Sequence, residues 1–247
     1  MPEVIGIIPA RYASRRLPGK PLAMIANRPM IQRVYERAAA AASLQRLVVA
    51  TDDIRIRQAV EAFGGEVLLT SPNHKSGTDR VAEAARQLRL PGGAIVLNIQ
   101  GDEPLLEAAV LDSLSAALEE ATEVPMATLA HRGKGSSDYH DPSVVKVVFD
   151  SRSRALYFSR RPIPAVPEET DTPPYYIHLG LYAYRNAFLQ RFANLPPSNL
   201  EREERLEQLR ALEHGFPILV VVTPFGSLSL DTAEDLARVR EIFAQQG

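Results

Sequence analysis

The sequence predicts an α/β fold built on a mostly parallel, doubly wound sheet. Two observations carry this. Short apolar runs at residues 4–8, 47–50, 66–69 and 94–99 are each bounded by turn residues, the pattern of strands buried on both faces. Amphipathic helical stretches fill the intervals, and four such alternations spell right-handed βαβ units. The 247 residues allow one large domain, or one domain carrying an insertion.

Taken in order, the first run opens into a loop. The next helical stretch, 30–42, places Ile31, Val34, Tyr35 and Ala38 on one face. The 54–63 helix is stopped by Gly64-Gly65, and the 78–88 helix by Pro91-Gly92-Gly93. A further amphipathic helix spans 105–118. After Glu123 the texture changes. Residues 125–130, 144–150, 155–159 and 175–184 read as strands without long helices between them, so 124–184 is expected to be an inserted β-rich subdomain. Residues 203–214 read as one helix closed by Gly215, 218–223 as an apolar strand, and 232–243 as a last helix with Thr232 and Asp235 at capping-box spacing.

Composition narrows the function. A chain 45% hydrophobic and 23% charged, with net charge -2, is ordinary globular material and not a general nucleic-acid or membrane-surface binder. The absence of cysteine removes disulfides, iron–sulfur clusters, thiolate zinc and a cysteine nucleophile. There is no signal-peptide pattern and no apolar run of membrane-spanning length, so the cytoplasm is the expected location. His74, His131, His140 and His214 show no metal-binding spacing, and no nucleophile-elbow motif occurs.

Three loops follow strands, where ligands sit in open α/β sheets. The first, 9–21, holds Arg11, Arg15, Arg16 and Lys20 in a stretch without acidic residues from 4 to 35. Its Gly and Pro content lets backbone N–H groups approach phosphate oxygens, and its cations supply charge. It has neither Walker nor dinucleotide spacing, and a solvated basic loop would show the same composition. The second, Asn98-Ile-Gln-Gly-Asp-Glu-Pro104, bears Asp102, suited to Mg2+ beside a triphosphate. Asp102 could equally cap the helix starting near Leu105. Gln100 could bond a base edge or ribose. The third carries Asp231, a metal-ligand candidate that also has the sequence context of a helix cap. Ser76 and Arg80 stand at a helix start, as a polar-ligand site or a plain N-cap. Taken singly, His178 reads as a satisfied strand histidine, and Glu207 and Gln208 as surface residues of a helix.

The ordered segments PARYASRRLPGKPL, ATDD, SGTDR, NIQGDEP, VVKVVFD, ALYFSR, HLGLYAY, LEQLR and SLDTAEDL span residues 5 to about 239. In combination they closely resemble the 3-deoxy-manno-octulosonate (Kdo) cytidylyltransferases, the CMP-Kdo synthetases of Gram-negative bacteria. The resemblance implies a Rossmann-like nucleotidyltransferase fold with an inserted β-rich dimerisation subdomain, and a homodimer. It implies transfer of CMP from CTP to Kdo with Mg2+, for lipopolysaccharide biosynthesis. Arg11 and Lys20 would hold the CTP phosphates, with Lys20, Asp102 and Asp231 catalytic. Ser76, Arg80 and Gln100 would surround the cytidine, and Asp102 and Asp231 would hold metal. Arg160, His178, Tyr182, Glu207 and Gln208 would line the sugar pocket. Two positions depart from the family pattern: Arg15, where members commonly carry Thr or Ser, and Phe225-Gly-Ser-Leu-Ser229, where a more Gly-rich approach is common. The rival readings are a cytidylyltransferase for another acidic sugar, such as 8-amino-Kdo or sialic acid, and a non-catalytic nucleotide-binding regulator.

Overall fold

A computed structural model describes residues 2–13, 17–166, 172–226, 230 and 232–245. The elements in chain order begin with β1 (Val4–Ala10), a 3-10 turn (Lys20–Leu22), and the short pair β2 (Met24–Ile25) and β3 (Arg28–Pro29). Then come α1 (Met30–Ala39), β4 (Arg46–Thr51), α2 (Ile54–Ala62), β5 (Glu66–Leu69), α3 (Gly77–Gln87) and β6 (Ile95–Asn98). The second half contains α4 (Ala108–Glu120), β7 (Met126–Arg132), α5 (Ser136–His140), β8 (Lys146–Phe149), β9 (Ala155–Ser159) and β10 (Tyr176–Arg185). It ends with α6 (Asn186–Phe192), α7 (Asn199–Glu204), α8 (Leu209–Glu213), β11 (Ile218–Val222) and α9 (Ala233–Gln245).

The central sheet runs β11-β7-β10-β6-β1-β4-β5. Its pairings are parallel except where β10 enters between β7 and β6. The span expected as an insertion thus contributes β7 and β10 to this sheet, while β8 and β9 form an antiparallel hairpin carried by β10. Strand alternation sends successive side chains to opposite faces. Val4, Ile8, Leu97, Leu129 and Leu181 pack against α1, α2, α4 and α9. Ile5, Ile7, Val96 and Tyr184 pack on the other face with α3, α6 and α8. Both faces are therefore covered, which is why the central runs read as continuously apolar. Among the described residues no helix is long and apolar enough to cross a membrane.

The 203–214 expectation is corrected. Glu204 ends α7, Arg205 adopts a left-handed backbone (φ 54°, ψ 45°), and α8 begins only at Leu209. The apolar period runs on through Leu206 and Leu209, but tertiary hydrogen bonds override it. Glu207 turns inward to accept from Thr78, and Gln208 is buried. The 105–118 helix also starts later, at Ala108 with Glu107 as its N-cap. Asp102 lies outside it, so the capping role is removed.

Arg185 joins sheet to helix. Its Nη2 donates to the carbonyls of Leu118 (2.7 Å) and Ala121 (3.1 Å), and its Nε to Val124 O (3.2 Å). The end of α4 leaves carbonyls without helical partners, and this guanidinium satisfies them. Arg185→Met is expected to lower unfolding stability by about 1–3 kcal/mol, the penalty of leaving partly buried carbonyls unpaired. A urea midpoint indistinguishable from wild type would remove this role.

Candidate active site

The register of β1 with β6, Ile7 opposite Asn98, sets two strand-end loops side by side. Gly101 lies so close to β1 that a Cβ there would be 3.0 Å from the Pro9 carbonyl oxygen. On the β1 side, Gly19 closes the basic loop: its N–H donates to Tyr12 O at 3.0 Å, and its φ of 72° is the left-handed conformation glycine adopts freely. The chain then enters the 3-10 turn, which carries Lys20. Across the gap, Lys20 Nζ donates to Asp102 Oδ2 at 2.6 Å. Arg11 reaches sideways, donating to the carbonyls of Lys75 (3.3 Å) and Ser76, and so ties the basic loop to the start of α3. Ser76 and Asp79 cap that helix reciprocally. Arg11, Lys20, Gly77, Gln100 and Asp102 line a cleft of ≈ 350 Å³, whereas Ser76, like Asp79, stays behind its wall as part of the helix cap. Two cations and the positive end of an α-helix give it the electrostatics of an anion cleft, with the Asp102 carboxylate paired to Lys20 on the same wall.

Gln100 and Asp102 also line a second, polar cavity of ≈ 600 Å³. Gln100 Nε2 donates to Gly180 O at 2.8 Å, fixing the end of β6 to β10. Arg160, His178, Tyr182, Glu207 and Gln208 all line this cavity. The five candidates thus come together from three separate segments. Arg160 is held by Nε donation to Glu204 O (2.9 Å) and Nη1 donation to Pro142 O (3.1 Å). Burial raises the Glu207 carboxyl pKa above its ordinary value, partly offset by the Thr78 hydroxyl at 2.6 Å. Glu207 Oε1 and Gln208 Nε2 are buried without hydrogen-bond partners among the described residues, though Arg210 Nη2 stands 3.8 Å from the Glu207 oxygen. An acceptor and a donor so placed suit a polyhydroxylated ligand. Withdrawal from water pushes the His178 imidazole down to about 3 and raises the Tyr182 phenol. Both rings therefore enter the cavity uncharged.

Arg80 lines neither cavity. It is fully buried, hydrogen-bonded to Thr70 and 3.0 Å from Asp52 Oδ1, and desolvation lowers its pKa. Asp231 and Arg15 lie outside the described residues. The neighbouring Leu230 is placed, its N–H donating to the Asp102 carbonyl at 2.9 Å. Thr232 and Asp235 exchange the expected capping hydrogen bonds. No group of three His, Cys, Asp or Glu side chains that could hold a metal occurs among the described residues.

Two important residues carried little sequence signal. Lys146 is completely buried and donates to three carbonyls, Asp141 (2.9 Å), Val144 (2.6 Å) and Arg160 (2.9 Å). It pins two walls of the second cavity together. A lysine inside an apolar run was the available clue. Thr128 is buried on β7 against His178, and nothing in its local sequence distinguishes it.

An anion cleft and a polar cavity sharing one acidic strand end, on this sheet, define a nucleotidyltransferase, and a family model described as "Cytidylyltransferase" matches residues 5–220. The chain is 56% identical over 244 residues to the 3-deoxy-manno-octulosonate cytidylyltransferase of Syntrophobacter fumaroxidans, covering 98% of both chains. It is 50% identical to the 8-amino-3,8-dideoxy-manno-octulosonate cytidylyltransferase of Shewanella pealeana, covering 93% of this chain and 94% of that one. A solved structure of CMP:2-keto-3-deoxy-manno-octonic acid synthetase complexed with CTP superposes with a TM-score of 0.93 at 42% identity, covering 99% of this chain and 100% of the other. The chain belongs to the 3-deoxy-manno-octulosonate cytidylyltransferase family.

Two outcomes test this geometry. Lys146→Met is expected to raise deuterium uptake at residues 141–145 and 159–161 while leaving 4–10 unchanged; equal uptake at the cavity walls would show that the lysine does not hold them. The depressed His178 pKa means the folded protein excludes a proton that the unfolded chain binds below its ordinary 6.5. Its contribution to stability is present above that value and is lost as pH falls from 6.5 toward 3. Wild type should therefore lose stability relative to His178→Gln across this window, and parallel curves would contradict burial of a neutral ring.

Proposed function

We propose that this protein transfers CMP from CTP to the anomeric hydroxyl of Kdo, releasing pyrophosphate. The observation that carries the reading is the meeting of the anion cleft and the polar cavity at Gln100–Asp102. The relatives' names supply the particular nucleotide and sugar. A triphosphate and a sugar acid repel each other, so a site that joins them must neutralise both. Arg11, Lys20 and the α3 N-terminus do this for the phosphates. Arg160 does it for the sugar carboxylate, while His178, Tyr182, Glu207 and Gln208 bond its hydroxyls.

Magnesium fits the residues present. Asp102 offers carboxylate oxygen at a partly exposed position, 26% accessible, on the wall common to both cavities. Mg2+ is commonly held by one or two carboxylates together with substrate phosphates and water. Asp102 and Asp231 would hold it, and when bound it would lower the pKa of the attacking hydroxyl and screen the phosphate oxygens. Lys20 exchanges its Asp102 partner for a phosphate oxygen and favours departure of pyrophosphate. Gln100, anchored on Gly180, keeps the sugar-binding strand in register with the nucleotide cleft. Positioning and charge stabilisation are the main contributions in such transfers. The reading also places the protein in the cytoplasm as a homodimer, with the 124–184 span forming the subunit contact and part of the sugar site.

Pyrophosphate release with CTP, Kdo and Mg2+, repeated with other nucleotides and with 8-amino-Kdo and sialic acid, tests the assignment. Release is expected with CTP and Kdo. The 8-amino-sugar relative makes that substrate the specific competitor, and a higher kcat/KM for it would transfer the assignment. Asp102→Asn should reduce turnover by ~100-fold or more while leaving a folded protein that still binds CTP. Near-wild-type turnover at saturating Mg2+ would exclude Asp102 from metal binding.

A further inference from the structure

The β10 strand is irregular where it crosses β7. Leu179 lies opposite Leu129 and Tyr182 opposite Thr128, so two residues of β10 bulge out between the paired positions. The Thr128 hydroxyl sits under this bulge, fully buried. Its oxygen is 2.8 Å from Leu181 O, 3.2 Å from Leu179 O and 2.9 Å from His178 Nε2.

The donor inventory settles the direction of these bonds. A hydroxyl has one proton, and a carbonyl oxygen can only accept. Sent to Nε2 instead, the proton would leave the hydroxyl and Leu181 oxygens 2.8 Å apart with lone pairs facing, so it goes to Leu181 O, the nearer carbonyl. The hydroxyl oxygen then faces His178 Nε2 with a lone pair, so that ring nitrogen must carry the hydrogen. A neutral imidazole protonated at Nε2 has an unprotonated Nδ1. Among the described residues Nδ1 has no hydrogen-bond partner, and His178 lines the second cavity. The Phe158 ring meets the imidazole edge-on with centroids 4.9 Å apart, adding a packing restraint on its orientation.

We propose that Thr128 is a positioning residue of the acceptor site: through Nε2 it fixes the tautomer and orientation of His178, so that Nδ1 accepts a hydrogen bond from a hydroxyl of the bound sugar. The tautomer half stands on geometry alone. The sugar half rests on the function proposed above. The side chain thereby couples the strand irregularity to ligand recognition: the carbonyls exposed by the bulge orient the hydroxyl, and the hydroxyl orients the ring.

Nitrogen-15 NMR of histidine-labelled protein tests the tautomer, with the His178 signals identified by their loss in His178→Gln. Wild type is expected to show a protonated Nε2 and an unprotonated Nδ1. Protonated Nδ1 in the wild type overturns the proposal with no variant needed. Thr128→Val, nearly equal in shape but without the hydroxyl, should give mixed tautomers, and Thr128→Ser should restore the wild-type pattern. An unchanged ring spectrum in a folded Thr128→Val overturns the role of Thr128. Kinetically, Thr128→Val should raise the KM for Kdo about tenfold, as expected for an unpaired or misdirected buried polar group, with the KM for CTP changed less than about twofold. Thr128→Ser should recover most of the loss. Should Thr128→Val fail to fold, the wild-type spectrum and the Thr128→Ser kinetics still decide, since an equally large KM defect in the serine variant counts against the hydroxyl. If no acidic sugar supports pyrophosphate release, the sugar half is overturned, while the ring spectrum separately decides the tautomer half.

Discussion

Parallel pairing of β1 with β6 is the constraint on which the site depends. Each strand alone ends in an ordinary loop. Paired in register, they bring a cationic loop against an acidic turn, with Pro9 and Gly101 in backbone contact. The ladder continues one step past β6, where the Ile99 N–H donates to Ile7 O at 3.0 Å. The Lys20–Asp102 pair is then a product of topology. Its side chains are only partly withdrawn from water, so its partners remain able to exchange.

The second half of the site uses burial where the first uses charge. Lys146 would be costly in a dry interior, and donation to three carbonyls offsets that cost. Glu207 is likewise drawn in by the Thr78 hydroxyl, and this bond joins α3, at the anion cleft, to the segment that lines the other cavity. The walls of the two cavities are thus connected through polar side chains as well as through the sheet. Such networks resist being changed one member at a time, because a partner left behind is buried and unpaired.

How much of this was legible in the sequence follows from how local each determinant is. The strands at 66–69 and 155–159 are legible with their observed ends, since Gly64-Gly65 and the apolar patterns act locally. Met30 opens α1 as read, but the helix stops three residues short of the alanine run's end. The 203–214 region reads as one helix because Leu206 and Leu209 keep helical spacing, while a distant hydroxyl, that of Thr78, holds Glu207 outside any helix. Strand-end position and family resemblance together pick out residues that line the two clefts, but Ser76 and Arg80 line neither and Asp231 lies outside the described residues. Arg80 was legible as a charged residue near a helix start, yet its full burial beside Asp52 and Thr70 was not. Thr128 had no signal at all: its significance comes from a bulge in a strand fifty residues away.

The sharing of Gln100 and Asp102 has a consequence for the two chambers. Gln100 and Asp102 face both chambers, and a tripeptide spans at most about 10 Å even when extended. The partition between the two chambers is therefore one short piece of backbone, clamped by β1 on one side and by Gly180 on the other. Two molecules held against it experience each other at a high effective molarity set by covalent geometry. That closeness is already built into the sheet and does not have to be created by bringing two domains together.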